Sequence, residues 1–111
     1  MRLTYAIKYV ADMDRAIAFY RDKLGLELKS ESPFWSEFAT GETVLALHPA
    51  SDESPAGSVE LGFGLDDLGD FYRRRDQLGI DFTREPKEMH GMHIAGIRDA
   101  DGANVSLSGP A

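Results

Sequence analysis

A single motif occurs twice in this chain. Residues 12–28, DMDRAIAFYRDKLGLEL, return at residues 67–82 as DLGDFYRRRDQLGIDF. Asp12 in the first copy corresponds to Asp67 in the second, a displacement of about half the 111-residue chain. Because an internal period defines an architecture and this one occurs only twice, the sequence predicts one internally duplicated domain and not a solenoid.

The composition is that of an ordinary globular domain. The chain has 42% apolar and 28% charged residues, and it contains no cysteine, which excludes disulfides and thiolate metal ligands. Its net charge of −7 disfavours nucleic acid as a partner. No apolar run is long enough to span a membrane, and the N-terminus lacks the apolar segment of a signal peptide. We therefore expect a cytoplasmic protein that does not bind membranes.

Residues 1–48 predict a first module of the type βαβββ. Apolar and polar residues alternate within residues 3–10, as in a strand with one buried face. Asp12 is a suitable N-cap for the helix that follows, and Gly25 is suited to end that helix in the left-handed conformation. Three further strands are predicted at residues 26–29, 35–39 and 43–48.

Residues 49–57, PASDESPAG, predict a linker because they are rich in Pro, Ser and Gly and show no periodicity. Residues 58–109 then predict a second βαβββ module. Asp66 or Asp67 caps its helix, which ends, like the first, at a glycine. Residues 84–91 are expected to form an irregular loop. The strands of this module are predicted at residues 58–65, 80–83, 92–98 and 104–108.

Two segments resemble motifs of a known superfamily. DMDRAIAFYRDKLGL at 12–26 and DADGANVSL at 99–107 are similar to those of the vicinal oxygen chelate superfamily, the group of glyoxalase I, bleomycin-resistance proteins and extradiol dioxygenases. The resemblance covers nearly the whole chain. It implies an α+β fold in which two βαβββ modules form a cup-shaped mixed sheet. It also implies that a single-domain chain of this size pairs as a homodimer.

In metal-dependent members of this superfamily, side chains on the first and last strands of the modules hold a divalent ion. The resemblance assigns the corresponding positions of this chain to Tyr5, Ala46, Glu60 and Ser106. Only Glu60 is a good ligand for a hard divalent ion, which needs three or four oxygen or imidazole donors. We therefore predict no metal and no other cofactor. The alternative is a divalent ion in a relocated site of His48, Glu60 and His93.

Several side chains are predicted to contact a small molecule in the cup. Tyr5 and Tyr9 share the cup-facing side of their strand by alternation, and Trp35 is a third aromatic candidate. Glu60 is the candidate catalytic residue, as a general base, or else the anchor of a cationic ligand. The simpler interpretation of each histidine is a rim or loop residue without a ligand role. The predicted ligand contacts are Tyr5, Tyr9, Trp35, His48, Glu60, His93, Asn104 and Ser106.

Two main hypotheses about function follow. The first is a protein of the bleomycin-resistance type that binds an aromatic or cationic small molecule without a metal. It rests on the missing metal ligands, on the aromatic residues near them and on the acidic net charge. The second is a metal-dependent lyase, isomerase or dioxygenase of the glyoxalase kind with the relocated metal site. A scaffold without catalytic activity is a third possibility.

Overall fold

The computed structural model describes residues 1–110. Contacts between residues divide the chain into two units. The N-terminal unit comprises residues 4–59, and the C-terminal unit comprises residues 1–3 together with the chain from residue 60 onward. No helix in the described part of the chain is long and apolar enough to cross a membrane.

The N-terminal unit is built from a strand, a helical segment and three further strands. These are β1 (Arg2–Val10), α1 (Met13–Ala18), a π-helical turn (Phe19–Lys23), β2 (Glu27–Ser30), β3 (Ser36–Ala39) and β4 (Val44–Pro49). Its strands lie in the order β2-β3-β4-β1. β1 and β4 run parallel, and the other neighbours run antiparallel.

The C-terminal unit repeats this arrangement. Its elements are β5 (Val59–Gly64), α2 (Leu68–Arg73), α3 (Arg75–Leu78), β6 (Phe82–Met89), β7 (Met92–Arg98) and β8 (Asn104–Gly109). Its strands lie in the order β6-β7-β8-β5, again with one parallel pair, β5 and β8. In both units the first strand pairs with the last, so the predicted fold of two βαβββ modules is confirmed.

The two helical segments begin and end in the same way. The side chain of Asp12 accepts a hydrogen bond from the backbone N–H of Arg15 at 3.1 Å, and that of Asp67 accepts one from Asp70 at 2.9 Å. Each N-cap thereby satisfies an N–H group that has no partner within the helix. At the other end the backbone is left-handed at a glycine, with φ of 75° at Gly25 and 68° at Gly79. The duplication therefore extends to the capping chemistry.

Each unit packs its helical segment on one face of its own strands. In the N-terminal unit Ile17 from α1 packs with Phe38 and Leu47, which are both fully buried. In the C-terminal unit Leu68 from α2 packs with a second buried cluster. That cluster also contains Leu65, Ala95, Val105 and Leu107. Side chains of opposite parity on the strands are thereby left on the faces that point away from the helices.

The prediction for residues 84–91 is wrong. Instead of a loop, most of them belong to β6, which pairs with β7 through register shifts on both sides of Arg84. β6 is the outer strand of its unit, where Pro86 removes no required ladder hydrogen bond and the shifts absorb the irregularity. His90 and Gly91 form the turn to β7, with φ of 53° and 85°. Two consecutive positive φ values are typical of a type I′ hairpin turn.

The first helix also differs from its prediction. One continuous helix was expected up to Gly25, but the α-helix ends at Ala18 and the chain continues as the π-helical turn. The backbone N–H of Leu24 donates to the carbonyl of Phe19 at 3.2 Å, which is the wider hydrogen bond of that turn. Residues of this turn are half-buried or exposed, and Leu24 after it is exposed, so the buried stripe of the helix does not continue to Gly25.

The matched N-caps give a direct prediction for stability. Asp12→Ala and Asp67→Ala each remove the acceptor of one helical N–H group, so each should lower the free energy of unfolding by about 1 kcal/mol. Urea unfolding followed by circular dichroism measures this loss. Asp52→Ala, an exposed change of the same charge in the segment between β4 and β5, is the control and should cost less than about 0.5 kcal/mol. Equal losses in all three variants would contradict the capping assignment.

Candidate ligand-binding site

An aromatic cluster lies on the side of the N-terminal unit's strands that points away from α1. Val10, Phe38 and Leu47 pack on the α1 side, so strand alternation directs their neighbours to the other side. We call that other side the aromatic face, and it consists of Tyr5, Ile7, Tyr9, Trp35, Glu37, Ala46 and His48. The predicted orientation of Tyr5 and Tyr9 agrees with this alternation.

The rings of the aromatic face touch edge to face. The centroid of the Trp35 ring lies 5.8 Å from that of Tyr5 and 6.2 Å from that of His48, and the Tyr9 and His48 centroids lie 5.2 Å apart. Such T-shaped contacts are favourable arrangements of aromatic rings. Ala46 is paired with Ile7 on one side and with Glu37 on the other. Because Ala46 carries only a methyl group, the rings can approach one another next to it.

Glu37 places a carboxylate within this cluster. The indole N–H of Trp35 donates to its Oε2 at 2.8 Å, and the Tyr5 hydroxyl is hydrogen-bonded to the same carboxylate. Glu37 is half-buried, so its charge is less screened than that of a fully exposed acid. The sequence analysis missed Glu37. The sequence did contain an indication: Glu37 follows Trp35 by two residues, and in an extended strand this spacing puts both side chains on the same side.

The environment of Tyr5 alters its acidity. Burial raises the pKa of the Tyr5 hydroxyl above its usual value of 10.0, and the charge of Glu37 and its hydrogen bond to the hydroxyl raise it further. All three effects stabilise the neutral phenol. Tyr5 therefore acts as a hydrogen-bond donor that holds the Glu37 carboxylate in place.

We expect Tyr5 to remain protonated above the pH at which a tyrosine in the unfolded chain ionises. Since its folded-state pKa is raised, its contribution to stability is complete below about pH 10 and is lost as the pH rises through the folded-state pKa. Titration of the four tyrosines with isotope-labelled tyrosine and NMR measures this pKa. Glu37→Gln should lower it, whereas Glu42→Gln, at an exposed turn position, should not. An unchanged Tyr5 pKa in Glu37→Gln would contradict the assigned hydrogen bond.

His48 lies at the edge of the aromatic face and is exposed. Its Nδ1 lies 2.8 Å from the carbonyl oxygen of Pro49, which can only accept, so Nδ1–H is the donor. This hydrogen bond fixes the ring and leaves Nε2 available to another partner. Because the ring also contacts Tyr9 and Trp35, His48 belongs to the same aromatic cluster as the indole that donates to Glu37.

The C-terminal unit presents a different set of side chains on the side that points away from its core. Glu60, Asn104 and Ser106 share this side, because the residues of opposite parity, Val105 and Leu107, belong to the core. Glu60 and Ser106 are half-buried and Asn104 is exposed. The Asn104 side-chain oxygen accepts a hydrogen bond of 3.5 Å from Arg98. Three of the predicted contacts are thus on one face of this unit.

Arg84 is a second residue that the sequence analysis missed. A Cβ added to Gly96 would lie 2.7 Å from its Nε atom, so the Arg84 guanidinium rests directly against this glycine. Gly96 pairs with Ser106, which places Arg84 on the same face as Ser106. Here too the sequence contained an indication: Gly96 lies inside a predicted strand, and a glycine there often marks the close approach of another group.

His93 does not share a face with Glu60. It has the parity of Ala95 and Ile97, which pack with the core of the C-terminal unit, whereas Glu60 lies on the opposite side. The structure therefore gives no support to the alternative metal site of His48, Glu60 and His93. No three His, Asp or Glu side chains within residues 1–110 are grouped as metal ligands would be.

The residues at the family's metal-ligand positions do not fit a divalent ion. In the N-terminal unit Tyr5 and Ala46 offer a phenol and a methyl group, and the phenol is engaged with Glu37. In the C-terminal unit Glu60 and Ser106 offer a carboxylate and a hydroxyl. One carboxylate and two hydroxyl groups are a poor donor set for Zn²⁺, Ni²⁺ or Fe²⁺, which prefer imidazole and several carboxylate ligands.

Comparison with known proteins identifies the family. Residues 2–107 match the model of the Glyoxalase/Bleomycin resistance protein/Dioxygenase superfamily. The chain belongs to this superfamily. It is 30% identical to the Bacillus subtilis protein YurT, over 96% of this chain and 98% of YurT. It is 32% identical to a probable lactoylglutathione lyase of Synechocystis sp., over 96% of this chain and 94% of that protein.

A solved structure agrees with this assignment. Methylmalonyl-CoA epimerase from Mycobacterium tuberculosis superimposes with a TM-score of 0.81 at 25% sequence identity, covering 99% of this chain and 88% of that one. The glyoxalase fold is thereby shown for this chain. These relatives include proteins with different names and activities, so membership of the glyoxalase superfamily does not by itself select a reaction.

Proposed function

We propose that this glyoxalase-superfamily protein binds a planar, cationic small molecule on its aromatic face without a metal ion. The proposal rests on one observation: the Glu37 carboxylate is held by the indole N–H of Trp35, whose ring contacts those of Tyr5 and His48. The aromatic rings offer a surface on which a flat ligand can stack, and the negative charge of the Glu37 carboxylate attracts a positively charged ligand. This combination is suited to a ligand that is both flat and positively charged.

Physical magnitudes favour a cation over a neutral ligand. A cation over the face of an aromatic ring gains about 0.5–2 kcal/mol, and here several rings border one site. Glu37 adds a direct charge interaction in a half-buried position, where solvent screening is reduced. The net charge of −7 also attracts cations toward the protein at longer range.

The remaining predicted residues enter this proposal in secondary roles. Glu60, Asn104 and Ser106 stay candidates for ligand contacts in the C-terminal unit, and Glu60 stays the candidate general base if a reaction occurs. A homodimer remains part of the proposal on the basis of the family resemblance. Neither a nucleic acid nor a membrane is proposed as a partner.

The single tryptophan of the chain makes the test direct. Titration with N-methylquinolinium, a planar cation, should quench the fluorescence of Trp35 to saturation. Quinoline, the neutral molecule of nearly the same shape, should bind at least about fivefold more weakly, because it lacks the charge interaction. Saturable quenching by neither compound, or equal affinity for both, would contradict the proposal.

A lyase, isomerase or dioxygenase of the glyoxalase kind is the alternative function. The relative named as a probable lactoylglutathione lyase favours it, and the donor set at the four metal-ligand positions opposes it. Elemental analysis of protein purified without chelators, combined with an assay of hemithioacetal isomerisation, separates the two. A stoichiometric divalent ion with turnover would support the enzyme and count against a binding protein. Absence of both would exclude the lyase.

A further inference from the structure

A cavity of about 600 Å³ lies within the N-terminal unit, mainly on the side of β1 that faces α1. It is bordered by the last residues of β1, by α1 with the π-helical turn, and by residues 56–57. Its volume is within the range of pockets that hold small organic ligands. Lys8 and Val10, which contribute to its wall, have the opposite parity to Tyr5 of the aromatic face, whereas Tyr9 lines the cavity and also belongs to that face. The cavity and the aromatic face therefore lie mainly on opposite sides of β1 and meet at Tyr9.

The wall formed by the segment after β4 is fixed in place. The backbone N–H of Gly57 donates to the carbonyl of Tyr9 at 2.9 Å, and the backbone N–H of Tyr9 donates to the carbonyl of Ser58 at 3.0 Å. The Lys8 ammonium also donates to the carbonyl of Gly57 at 2.9 Å. Three hydrogen bonds thus hold this segment against β1, so the cavity exists before any ligand arrives.

Two of the cationic side chains around the cavity have no acidic partner in the described part of the chain. Asp12 and Asp22 are the acids in the wall, and both are engaged: Asp12 caps α1, and Asp22 pairs with Arg21 at 2.9 Å. Arg15 and Lys23 also line the cavity, and neither side chain has an acidic partner within residues 1–110. Their hydrogen-bond donors are therefore open to an anion.

An apolar surface accompanies these cations. Phe19 is 46% exposed, and its ring lies edge to face with that of Tyr20, with centroids 5.2 Å apart. Both residues line the cavity, together with Ala16 and Ala18. The cavity therefore offers an aromatic and aliphatic surface beside two free cationic groups.

We propose that this cavity is a second binding site, for a small organic anion with an aromatic body, such as an aryl carboxylate. Arg15 and Lys23 bind the anionic group, and Phe19 and Tyr20 contact the apolar part. The charge preference is the reverse of that proposed for the aromatic face. The two sites are therefore distinguished by ligand charge and by the residues that bind the ligand, although Tyr9 borders both, so each proposal can fail without the other.

The first experiment uses naphthoate as the probe and follows backbone amide resonances by NMR. Naphthoate should shift the resonances of Ala56, Gly57 and the residues of α1 in a saturable manner. Naphthylmethanol, the neutral analogue, should bind at least about fivefold more weakly because it cannot pair with the cations. Shifts confined to other parts of the chain, or the same affinity for both probes, would overturn the proposal.

Variants then test the assigned side chains. The double variant Arg15→Gln and Lys23→Gln should weaken naphthoate binding about tenfold, as expected for the loss of two partly exposed ion pairs. The matched control is Lys29→Gln with Lys87→Gln, which removes the same charge from exposed positions outside the cavity and should change binding less than twofold. Equal weakening by both double variants would show that only net charge matters, and would overturn the site.

A blocking variant completes the test. Ala56→Phe places a ring at the exposed border of the cavity without altering the core, and it should weaken naphthoate binding about tenfold or more by occupying the space of the ligand. Binding of N-methylquinolinium should be unchanged in this variant. Unchanged naphthoate binding would overturn the cavity proposal. Parallel loss of both ligands would show one shared site and would overturn it as well.

Discussion

Replacing Gly109 with alanine is expected to lower the free energy of unfolding by about 3 kcal/mol, a large effect for one methyl group. A Cβ at this position would overlap the backbone carbonyl oxygen of Leu65. That carbonyl has little freedom to move, because the N–H of Leu65 donates to Ser108 at 2.8 Å and the N–H of Leu68 donates to Pro110 at 2.7 Å. The clash is therefore with backbone that two hydrogen bonds fix in position.

Gly91→Ala is the matched control for this substitution. Gly91 also has a positive φ, 85°, but no atom lies within 4 Å of a Cβ built there. Its replacement should cost only the strain of a left-handed alanine, about 1 kcal/mol. Urea unfolding of both variants measures the difference. Equal losses would show that the approach of Gly109 to Leu65 is not the cause.

The second large effect is expected for ligand binding. Trp35→Ala should weaken the binding of N-methylquinolinium at least about thirtyfold, which corresponds to about 2 kcal/mol. The substitution removes the ring that contacts both Tyr5 and His48, together with the indole N–H that positions the carboxylate of Glu37. Because the fluorescence reporter is lost with Trp35, isothermal titration calorimetry is the appropriate measurement.

Phe34→Ala is the control for this loss. Phe34 is the adjacent aromatic residue and is 75% exposed, and it takes no part in the ring contacts of the aromatic face. Its removal should change the affinity less than twofold, since an exposed ring that does not touch the ligand contributes little. If Phe34→Ala weakens binding as much as Trp35→Ala, the ligand is bound elsewhere on this surface.

The repeat in the sequence predicted the two βαβββ modules, and the family resemblance supplied the fold that they form. The repeat located both helical segments, and residue chemistry predicted their N-caps and the glycines that follow them, because Asp12, Asp67 and Gly25 act through neighbours close along the chain. Residue chemistry did not predict the π-helical turn after Ala18. β6 was not predicted, since its residues lack alternation and contain Pro86. Its strand conformation depends on pairing with β7, which a local pattern does not show.

Only part of the candidate site could be predicted, for a related reason. Tyr5 and Tyr9 lie on a long alternating strand, so their side followed from parity. Trp35 lies just before β3, a strand of four residues, and such a short segment gives no reliable alternation. The part played by Glu37 depends on hydrogen bonds to Tyr5 and Trp35, and that of Arg84 depends on its approach to Gly96. Contacts of this kind arise from packing between strands.

The central claim is that a carboxylate within an aromatic cluster selects a flat cation. The most direct measurement is the affinity ratio of N-methylquinolinium to quinoline, obtained by calorimetry for the wild-type protein and for Glu37→Gln, with Glu42→Gln as the charge-matched control. We predict a ratio of at least about five in the wild type and in Glu42→Gln, and a ratio near one in Glu37→Gln. A ratio that is the same in all three proteins would contradict the claim.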